Sequence, residues 1–310
     1  MTTDPLKKHI LYLGPNLSFS HAAVQAVFPG QHHTQCSDFP QIFSRLQHAS
    51  QDADASAHSY AIVPVCNSTN GPVIPVVALL RQCGDGNGSL LSELAEHGAD
   101  IGVQSQAIIV VEAQTSVVGQ QALPSGTQAT SLTTVSKSET YLNIILRPPY
   151  TYHLPVHHYL YVHPDCPVSA ATLKAGGDDE GSPSTTTAID YTLLTTLHTH
   201  PQVWTQCSTF LRTHLSASSV THVDHNSTSE AASLVARTTH AQSLTGTVSR
   251  SEMSGPAGER LGWPAAICSR QAGEAYGLKC VAAHIEDDRE GNRTTFAVLG
   301  VEPGKPTEEG

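Results

Sequence analysis

The chain has 310 residues, enough for two modest domains or one two-lobed domain with a sizeable core. Hydrophobic residues make up 39% of the sequence and charged residues only 14%, a composition that excludes wholesale disorder and a collagen-like repeat. Lys and Arg number 16 against 27 Asp and Glu, so the net charge is −11. A negative chain repels phosphate groups, which argues against a nucleic-acid or anionic-membrane partner.

Neither the apolar runs nor the cysteines indicate export. No uninterrupted apolar run reaches the ~18 residues of a membrane span, and the N-terminus lacks the apolar segment of a secretory signal. We therefore expect a cytoplasmic protein. The seven cysteines show neither a C-x-x-C motif nor regular spacing, so they are interpreted as reduced thiols at small buried positions.

The predicted elements alternate between strands and helices, which indicates an α/β sheet fold. Runs rich in Val, Ile and Leu predict strands at His9–Gly14, Ser59–Val65, Gln106–Val111, Val156–His163, Ser219–Asp224, Ala265–Ser269, Val281–Glu286 and Thr295–Val301. Helical patterns predict helices at Ser20–Phe28, Phe39–Ala49, Pro75–Gln82, Pro201–Leu215, Ser229–Thr239 and Gln271–Tyr276.

Four segments look unlike core. They are the mixed polar stretch 84–140, the low-complexity loop Lys174–Thr187, the polar residues 240–260 and the tail 303–310. We interpret 84–140 as an insertion, Lys174–Thr187 as a disordered loop, 240–260 as a surface excursion and 303–310 as a fraying tail.

Six motifs occur in order along the chain. The first, Tyr12–His21, places a Gly-Pro turn between a strand and a helix, where backbone N–H groups can face an anion. The others are Val63–Ser68 with Gly71, Leu154–Leu160, His200–Cys207, Ser227–Ala232 and the closing run Ala265–Gly300.

Taken together, these motifs resemble the catalytic domain of prephenate dehydratase, from Leu11 to Gly300 apart from the insertions. The resemblance implies a bilobed α/β fold similar to type II periplasmic binding proteins, with the active-site cleft between the lobes. We expect lobe 1 at 7–75 plus 281–302, an insertion near the hinge at 84–140, and lobe 2 at 150–280. The regulatory ACT domain that usually follows in the family has no counterpart in residues 303–310.

The family reaction is a decarboxylating dehydration of a small acid, and it implies no metal and no organic cofactor. In the family, the threonine of an Asn-x-Thr-Arg-Phe motif donates a proton, which places Thr294 of Asn292–Phe296 in the catalytic role. The expected substrate-binding residues are Asn67, Ser68, Thr228, Ser227, Thr295, Phe296, Ser18, Cys66 and His157. Whether the protein forms a homodimer is left open.

The sequence departs from the family pattern at three ligand positions. Thr295 replaces an arginine that binds a substrate carboxylate, Cys66 replaces a glutamate, and Leu17-Ser18 replaces Gly-Thr. A charge-assisted hydrogen bond is worth ~1.5–3 kcal/mol, so losing the arginine predicts weaker binding of a dianion. These changes favour an altered substrate and recruitment into specialised metabolism.

Several of these residues also have a structural interpretation. Thr294 suits a strand as a β-branched residue, and Ser227 with Glu230 forms a capping box whether or not Thr228 touches a ligand. The sequence Asn67-Ser68 followed by Gly71 is also typical of an ordinary turn.

The thiol and the histidines have competing interpretations too. Cys66 is interpreted as an inert small residue rather than a nucleophile. His157-His158 and the pair His198/His200 suggest zinc, but neither pair has a third ligand at a recognisable spacing. His157 is then a candidate for a neutral hydrogen bond or a proton shuttle.

Three hypotheses follow for the function. The first is a lyase of the prephenate dehydratase type. The second is another reaction, such as decarboxylation without aromatisation, dehydration or cyclisation, on a less charged intermediate. The third is a non-catalytic small-molecule binding protein, because a two-lobed fold closes on ligands whether or not it transforms them.

Overall fold

A computed structural model of the chain describes residues 7–83, 89–101, 141, 143–168, 191–215, 220–238 and 262–302. The described residues form two compact units. Unit 1 takes those in the ranges 1–13, 27–153 and 294–310, and unit 2 takes those in the ranges 14–26 and 154–293. Each unit is built on its own mixed sheet with helices, which confirms the expected α/β class with two lobes.

The sheet of unit 1 joins elements from both ends of the chain. Its strands are β1 (His9–Leu13), β2 (His32–Cys36), β3 (Ser59–Asn67), β4 (Gly71–Pro72), β5 (Ile144–Pro155) and β11 (Arg293–Val301). The order is β2-β1-β3-β11-β5, with β4 paired to β3. β1 runs parallel to β2 and β3, whereas β11 runs antiparallel to β3. The C-terminal strand therefore lies beside β3 in the middle of this sheet.

The helices of unit 1 are α2 (Phe39–Ala49), α3 (Ala53–His58), α4 (Ile74–Leu80) and α5 (Ser89–Glu96). Asp38 caps α2, because its carboxylate accepts the N–H of Gln41 at 2.7 Å. Ile42, Phe43 and Leu46 then lie on one helix face and are fully buried. They pack in the same core as buried residues of β3 and β11.

The sheet of unit 2 has strands β6 (Tyr159–Val162), β7 (Leu194–Thr199), β8 (Thr221–Asp224), β9 (Trp263–Cys268) and β10 (Lys279–Ala282). Their order is β10-β6-β9-β7-β8. Every residue of β6 and β9 is buried. Such continuous burial is typical of inner strands that are covered on both faces.

The helices of unit 2 are α1 (Phe19–Val27, which belongs to this unit up to Ala26), α6 (Pro201–Gln206), α7 (Ser208–His214), α8 (Thr228–Arg237) and α9 (Arg270–Ala275). A short 3₁₀ turn at Tyr191–Leu193 precedes β7. Serine side chains begin two of the helices: Ser227 accepts the N–H of Glu230, and Ser269 accepts that of Ala272.

The segment 14–26, grouped with lobe 1 on sequence grounds, packs within unit 2. The hydroxyl of Ser229 donates to the backbone O of Asn16 at 2.8 Å. The rings of Phe19 and His158 meet edge to face, with centroids 5.8 Å apart. These contacts with distant parts of unit 2 attach the segment there, although it directly follows a strand of unit 1.

Two differences from the predicted elements have clear physical causes. The sequence pattern does not predict β5, because Pro148 and Pro149 interrupt it. The strand tolerates these prolines because it lies at the edge of the described sheet, beside β11 only. The predicted helix Pro201–Leu215 is two helices that meet at Cys207. Asp287, far away in sequence, accepts from the hydroxyl of Ser208 at 2.6 Å and the N–H of Thr209 at 2.9 Å, and so starts the second helix.

Some expectations fall outside the described residues. They are the strand Gln106–Val111, the loop Lys174–Thr187, the polar residues 240–260 and the tail 303–310. Within the part of the chain that the structure describes, no helix is both long and apolar enough to cross a bilayer.

Gly273 of α9 provides a test of packing in unit 2. A Cβ at this position would lie 2.3 Å from the ring of Tyr161, which is almost fully buried and has no room to yield. We expect Gly273→Ala to destabilise the protein by about 1–3 kcal/mol in urea unfolding, because the core must shift. Ala275→Ser, at an exposed position of the same helix, should change stability by under about 0.5 kcal/mol. Equal effects of the two substitutions would contradict this packing.

Candidate active site

Asn67 and Thr294 meet across the antiparallel pair β3 and β11. They are direct partners in the register, and the amide Nδ2 of Asn67 lies 3.1 Å from Oγ1 of Thr294. Thr294 is half-buried and Asn67 is buried. The structure thus brings together two predicted site residues that are 227 positions apart in sequence.

A turn fixes which way the Asn67 amide faces. Its Oδ1 accepts the backbone N–H groups of Thr69 and Asn70, both at 3.0 Å. Since only the oxygen can accept, the NH₂ group must be the one that faces Thr294. Asn67 therefore donates to Oγ1 of Thr294, and this bond leaves the hydroxyl proton of Thr294 for donation to another group.

Thr295 stands where the family has an arginine, and its hydroxyl pairs with a histidine. Thr295 is buried, and its Oγ1 lies 2.9 Å from Nδ1 of His153 on β5. His153 was not among the predicted site residues. It reaches Thr295 because β5 lies beside β11 in the sheet, a pairing that the sequence pattern did not reveal.

The other predicted residues of unit 1 differ in exposure. Ser68 is exposed at the end of β3, and Phe296 is buried with 1% of its surface exposed. Cys66 is buried, and its Sγ lies 3.6 Å from the backbone O of Asn67 as a weak donor. All seven cysteines are buried free thiols. The burial of Cys66 agrees with the interpretation as a small packed residue.

In unit 2, Ser227 and Thr228 begin helix α8. Ser227 is the N-cap, and its hydroxyl accepts the N–H of Glu230 at 3.0 Å. The Glu230 carboxylate accepts from the N–H of Asn226 at 3.1 Å, one residue before the position that a capping box normally uses. Thr228 is buried at the first turn.

Ser18 lies at the start of α1 in a strained loop. Its hydroxyl accepts the N–H of His21 at 3.3 Å, and the N–H of Leu17 donates to Nδ1 of His21 at 3.0 Å. Leu17 has φ of +68°, in the left-handed region that glycine adopts without strain. Glycine would be unstrained at this position, and the bond to His21 helps to hold leucine there.

His157 contacts an acidic residue that sequence analysis did not select. Its Nδ1 donates to Oε1 of Glu286 at 2.8 Å, and the backbone N–H of His158 donates to Oε2 at 2.8 Å. Nδ1 of His284 lies 3.5 Å from the same Oε1. The side chain of Glu286 has 0% of its surface exposed. No local pattern marks this group, because 127 residues or more separate His157 from the other two side chains.

The two histidine pairs considered for zinc do not converge. The ring of His158 donates instead to Oε1 of Gln206, and burial lowers its pKa, which keeps the ring neutral. His198 pairs with His225, with 2.9 Å between Nδ1 and Nε2. His200 caps α6, where its Nδ1 accepts the N–H of Gln202.

The model of the prephenate dehydratase family matches residues 10–136 and 150–304. The chain belongs to the prephenate dehydratase family. Membership confirms the resemblance carried by the six sequence motifs and places Thr294 and Asn67 inside the matched region. A comparison with curated proteins found no match.

Three solved structures are similar to this family member, each at 15% identity and over 96% of its length. One is described as GqqA, a novel type of quorum quenching acylase (TM-score 0.49). The second is prephenate dehydratase in complex with L-Phe from Arthrobacter aurescens (0.45), and the third is that from Staphylococcus aureus subsp. aureus Mu50 (0.44). The chain spans 66%, 61% and 68% of their respective lengths.

The pH dependence of stability tests the burial of His198. Burial, with His225 adding to it, lowers the pKa of His198 from 6.5 to about 4. The unfolded chain takes up this proton below about pH 6.5 while the folded chain does not, so stability falls as pH drops from 6.5 to about 4.

Over this range, His198 should account for roughly 3 kcal/mol of the loss. His198→Asn keeps a hydrogen-bonding group but does not titrate, so its unfolding free energy should depend less on pH. The exposed His222→Asn serves as the control and should follow the wild type. Identical pH profiles for all three proteins would show that His198 is not the titrating group.

Proposed function

We propose that this family member is a carbon–oxygen lyase of the prephenate dehydratase type, acting on prephenate or a related acid. The observation that carries the proposal is the oriented pair in which Asn67 donates to Oγ1 of Thr294 at 3.1 Å. That bond directs the remaining proton of Thr294 toward another group. Family membership supplies the reaction in which such a proton is needed.

The proposed reaction converts prephenate to phenylpyruvate. The bond from the ring to its carboxylate breaks and releases carbon dioxide, and the electron pair moves through the cyclohexadiene to form an aromatic ring. The C–O bond of the ring hydroxyl breaks, and the hydroxyl leaves as water with the proton of Thr294. Solvent then returns a proton to Thr294.

Threonine is a weak acid, so its proton moves late, when the leaving oxygen has gained most of its charge. At that stage negative charge develops on Oγ1 of Thr294. The amide of Asn67 already donates to this atom and therefore stabilises that charge without rearranging. Two backbone N–H groups hold the amide in place, so the donor is preorganised.

The role of Thr294 is tested by removing its hydroxyl. Thr294→Val is nearly isosteric and should lower kcat for phenylpyruvate formation by about 10²–10⁴-fold, because the proton donor is lost. Thr294→Ser keeps the donor and should retain much of the activity. Thr69→Val, which removes an exposed hydroxyl in the Asn67 turn, is the matched control and should leave kcat close to that of the wild type.

Each outcome separates the hypotheses. Full activity of Thr294→Val would overturn the proposed role. Calorimetric binding of prephenate without turnover by the wild type would favour a non-catalytic binding protein. If the wild type neither binds nor converts prephenate, a less charged substrate is favoured.

The pair formed by Thr295 and His153 favours a second candidate, a related reaction on a less charged substrate. The family arginine would offer a planar cation with several donors to a carboxylate. Here the position carries a buried hydroxyl that is already bonded to an imidazole. An enzyme recruited into specialised metabolism, acting on an intermediate with one fewer carboxylate, fits this neutral arrangement.

Restoring the arginine distinguishes the two candidates. Thr295→Arg should raise the affinity for prephenate by about 10–100-fold, since a charge-assisted hydrogen bond contributes ~1.5–3 kcal/mol. Thr295→Gln lengthens the side chain and adds an uncharged hydrogen-bond donor, so it should raise the affinity for prephenate only slightly. Isothermal titration with prephenate measures both. Equal affinities for the two variants would show that charge at this position does not limit binding.

We further propose that the protein acts in the cytoplasm on a freely diffusing small acid. Seven buried free thiols suit a reducing compartment. The net charge of −11 disfavours nucleic acids and anionic lipids as partners.

A further inference from the structure

A cluster of three side chains in unit 2 has no role in the function proposed above. Its members are His157, His284 and Glu286, and their ligand atoms all lie within 4.8 Å of one another. Both imidazoles approach the same carboxylate oxygen, with Nδ1 of His157 at 2.8 Å and Nδ1 of His284 at 3.5 Å from Oε1. The two rings meet edge to face, with centroids 4.8 Å apart.

Glu286 is in the ionised form that a metal ligand requires. Burial by itself would raise its pKa, but hydrogen bonds from the ring of His157 and the backbone N–H of His158 outweigh it and lower the pKa. The carboxylate thus carries its negative charge at neutral pH while its side chain is fully buried. A buried carboxylate of this kind attracts a cation.

Further groups hold the ligands in place, as in protein metal centres. Oε2 of Glu286 accepts the N–H of His158 at 2.8 Å, which leaves Oε1 for the cluster. Nε2 of His284 lies 3.2 Å from the hydroxyl of Tyr159, so the ring nitrogen away from the cluster has its own partner. Metal-binding histidines and carboxylates are commonly fixed by such outer hydrogen bonds.

We propose that His157, His284 and Glu286 bind one divalent transition-metal ion of the zinc type. Two imidazoles and one carboxylate form a ligand set suited to Zn²⁺, and three protein ligands leave a fourth position open. The side chains of His157 and His284 are 32% and 45% exposed, so a small molecule or water can approach that position.

Two of the three distances between ligand atoms lie near those that such an ion requires, and all three are within 4.8 Å. Bonds of about 2.0–2.1 Å in a tetrahedral arrangement place neighbouring ligand atoms roughly 3.3 Å apart. The distances to Oε1 of Glu286 lie on either side of this value, at 2.8 and 3.5 Å. Nδ1 of His157 must release the hydrogen bond to Glu286 before it can bind the ion, and the neutral ring can carry its proton on Nε2 instead.

The site does not depend on the proposed lyase activity, because it uses neither Thr294 nor Asn67. A bound ion would act as a Lewis acid and hold an anionic oxygen, such as a carboxylate or an activated water, at the open position. A carboxylate-bearing small molecule is the ligand class that fits.

Cobalt provides a direct readout. Untagged, chelator-treated protein should bind one Co²⁺ per chain, with the visible absorption of a four-coordinate ion, and Zn²⁺ should displace it. Glu286→Gln and His284→Ala should each weaken Co²⁺ binding by at least about 100-fold. Glu286→Gln keeps the shape of the side chain and an acceptor for the N–H of His158, so the fold should survive.

The outer hydrogen bond gives a finer test. Tyr159→Phe removes only the hydroxyl that faces His284 and should weaken binding by about 10–100-fold. His222→Asn, an exposed histidine on β8, is the matched control and should bind like the wild type. Stoichiometric binding that none of the cluster variants changes would place the ion elsewhere and overturn the proposal. Absence of any Co²⁺ binding by the wild type would overturn it as well.

Discussion

The register between β3 and β11 is the constraint on which the candidate active site depends. Antiparallel pairing sets Thr294 against Asn67 and Thr295 against Cys66. Side chains alternate between the faces of a strand, so a slip of one residue would send Thr294 to the opposite face. The residues that follow in β11, from Phe296 to Val301, are all buried, so such a slip would also mismatch their packing on both faces of the sheet.

Neutral hydrogen bonds carry most of the polar organisation around this pair. The Oδ1 of Asn67 accepts two backbone N–H groups, and its amide Nδ2 donates to Oγ1 of Thr294. The hydroxyl of Thr295 is hydrogen-bonded to the ring of His153. Charged residues make up only 14% of the sequence, and these four site residues include no Asp, Glu, Lys or Arg. A site of neutral donors orients a substrate well but holds a dianion less tightly than an arginine would.

In unit 2, by contrast, one carboxylate is buried and lies against two imidazole rings. Glu286 receives hydrogen bonds from the ring of His157 and the backbone of His158. Burying an ionised group is costly unless donors or a cation satisfy it. The arrangement around Glu286 is therefore a specific feature, because two donors already satisfy the carboxylate and two imidazoles lie against it.

The sequence by itself determined the local elements and the family. Helix α2 has the predicted bounds because Asp38 caps it and its apolar residues recur with helical spacing, and β1 and β3 follow apolar runs. The ordered motifs identified the family, and one of them supplied Thr294. These features depend on neighbouring residues, which a sequence shows directly.

Only the tertiary structure decided which distant side chains meet. The bond from His153 to Thr295 requires β5 beside β11, and the cluster around Glu286 joins segments more than 120 residues apart. The break at Cys207 depends on Asp287 in the same way. Such contacts are set by strand order and packing, which leave no periodic mark in the sequence, so the pattern of residues could not reveal them.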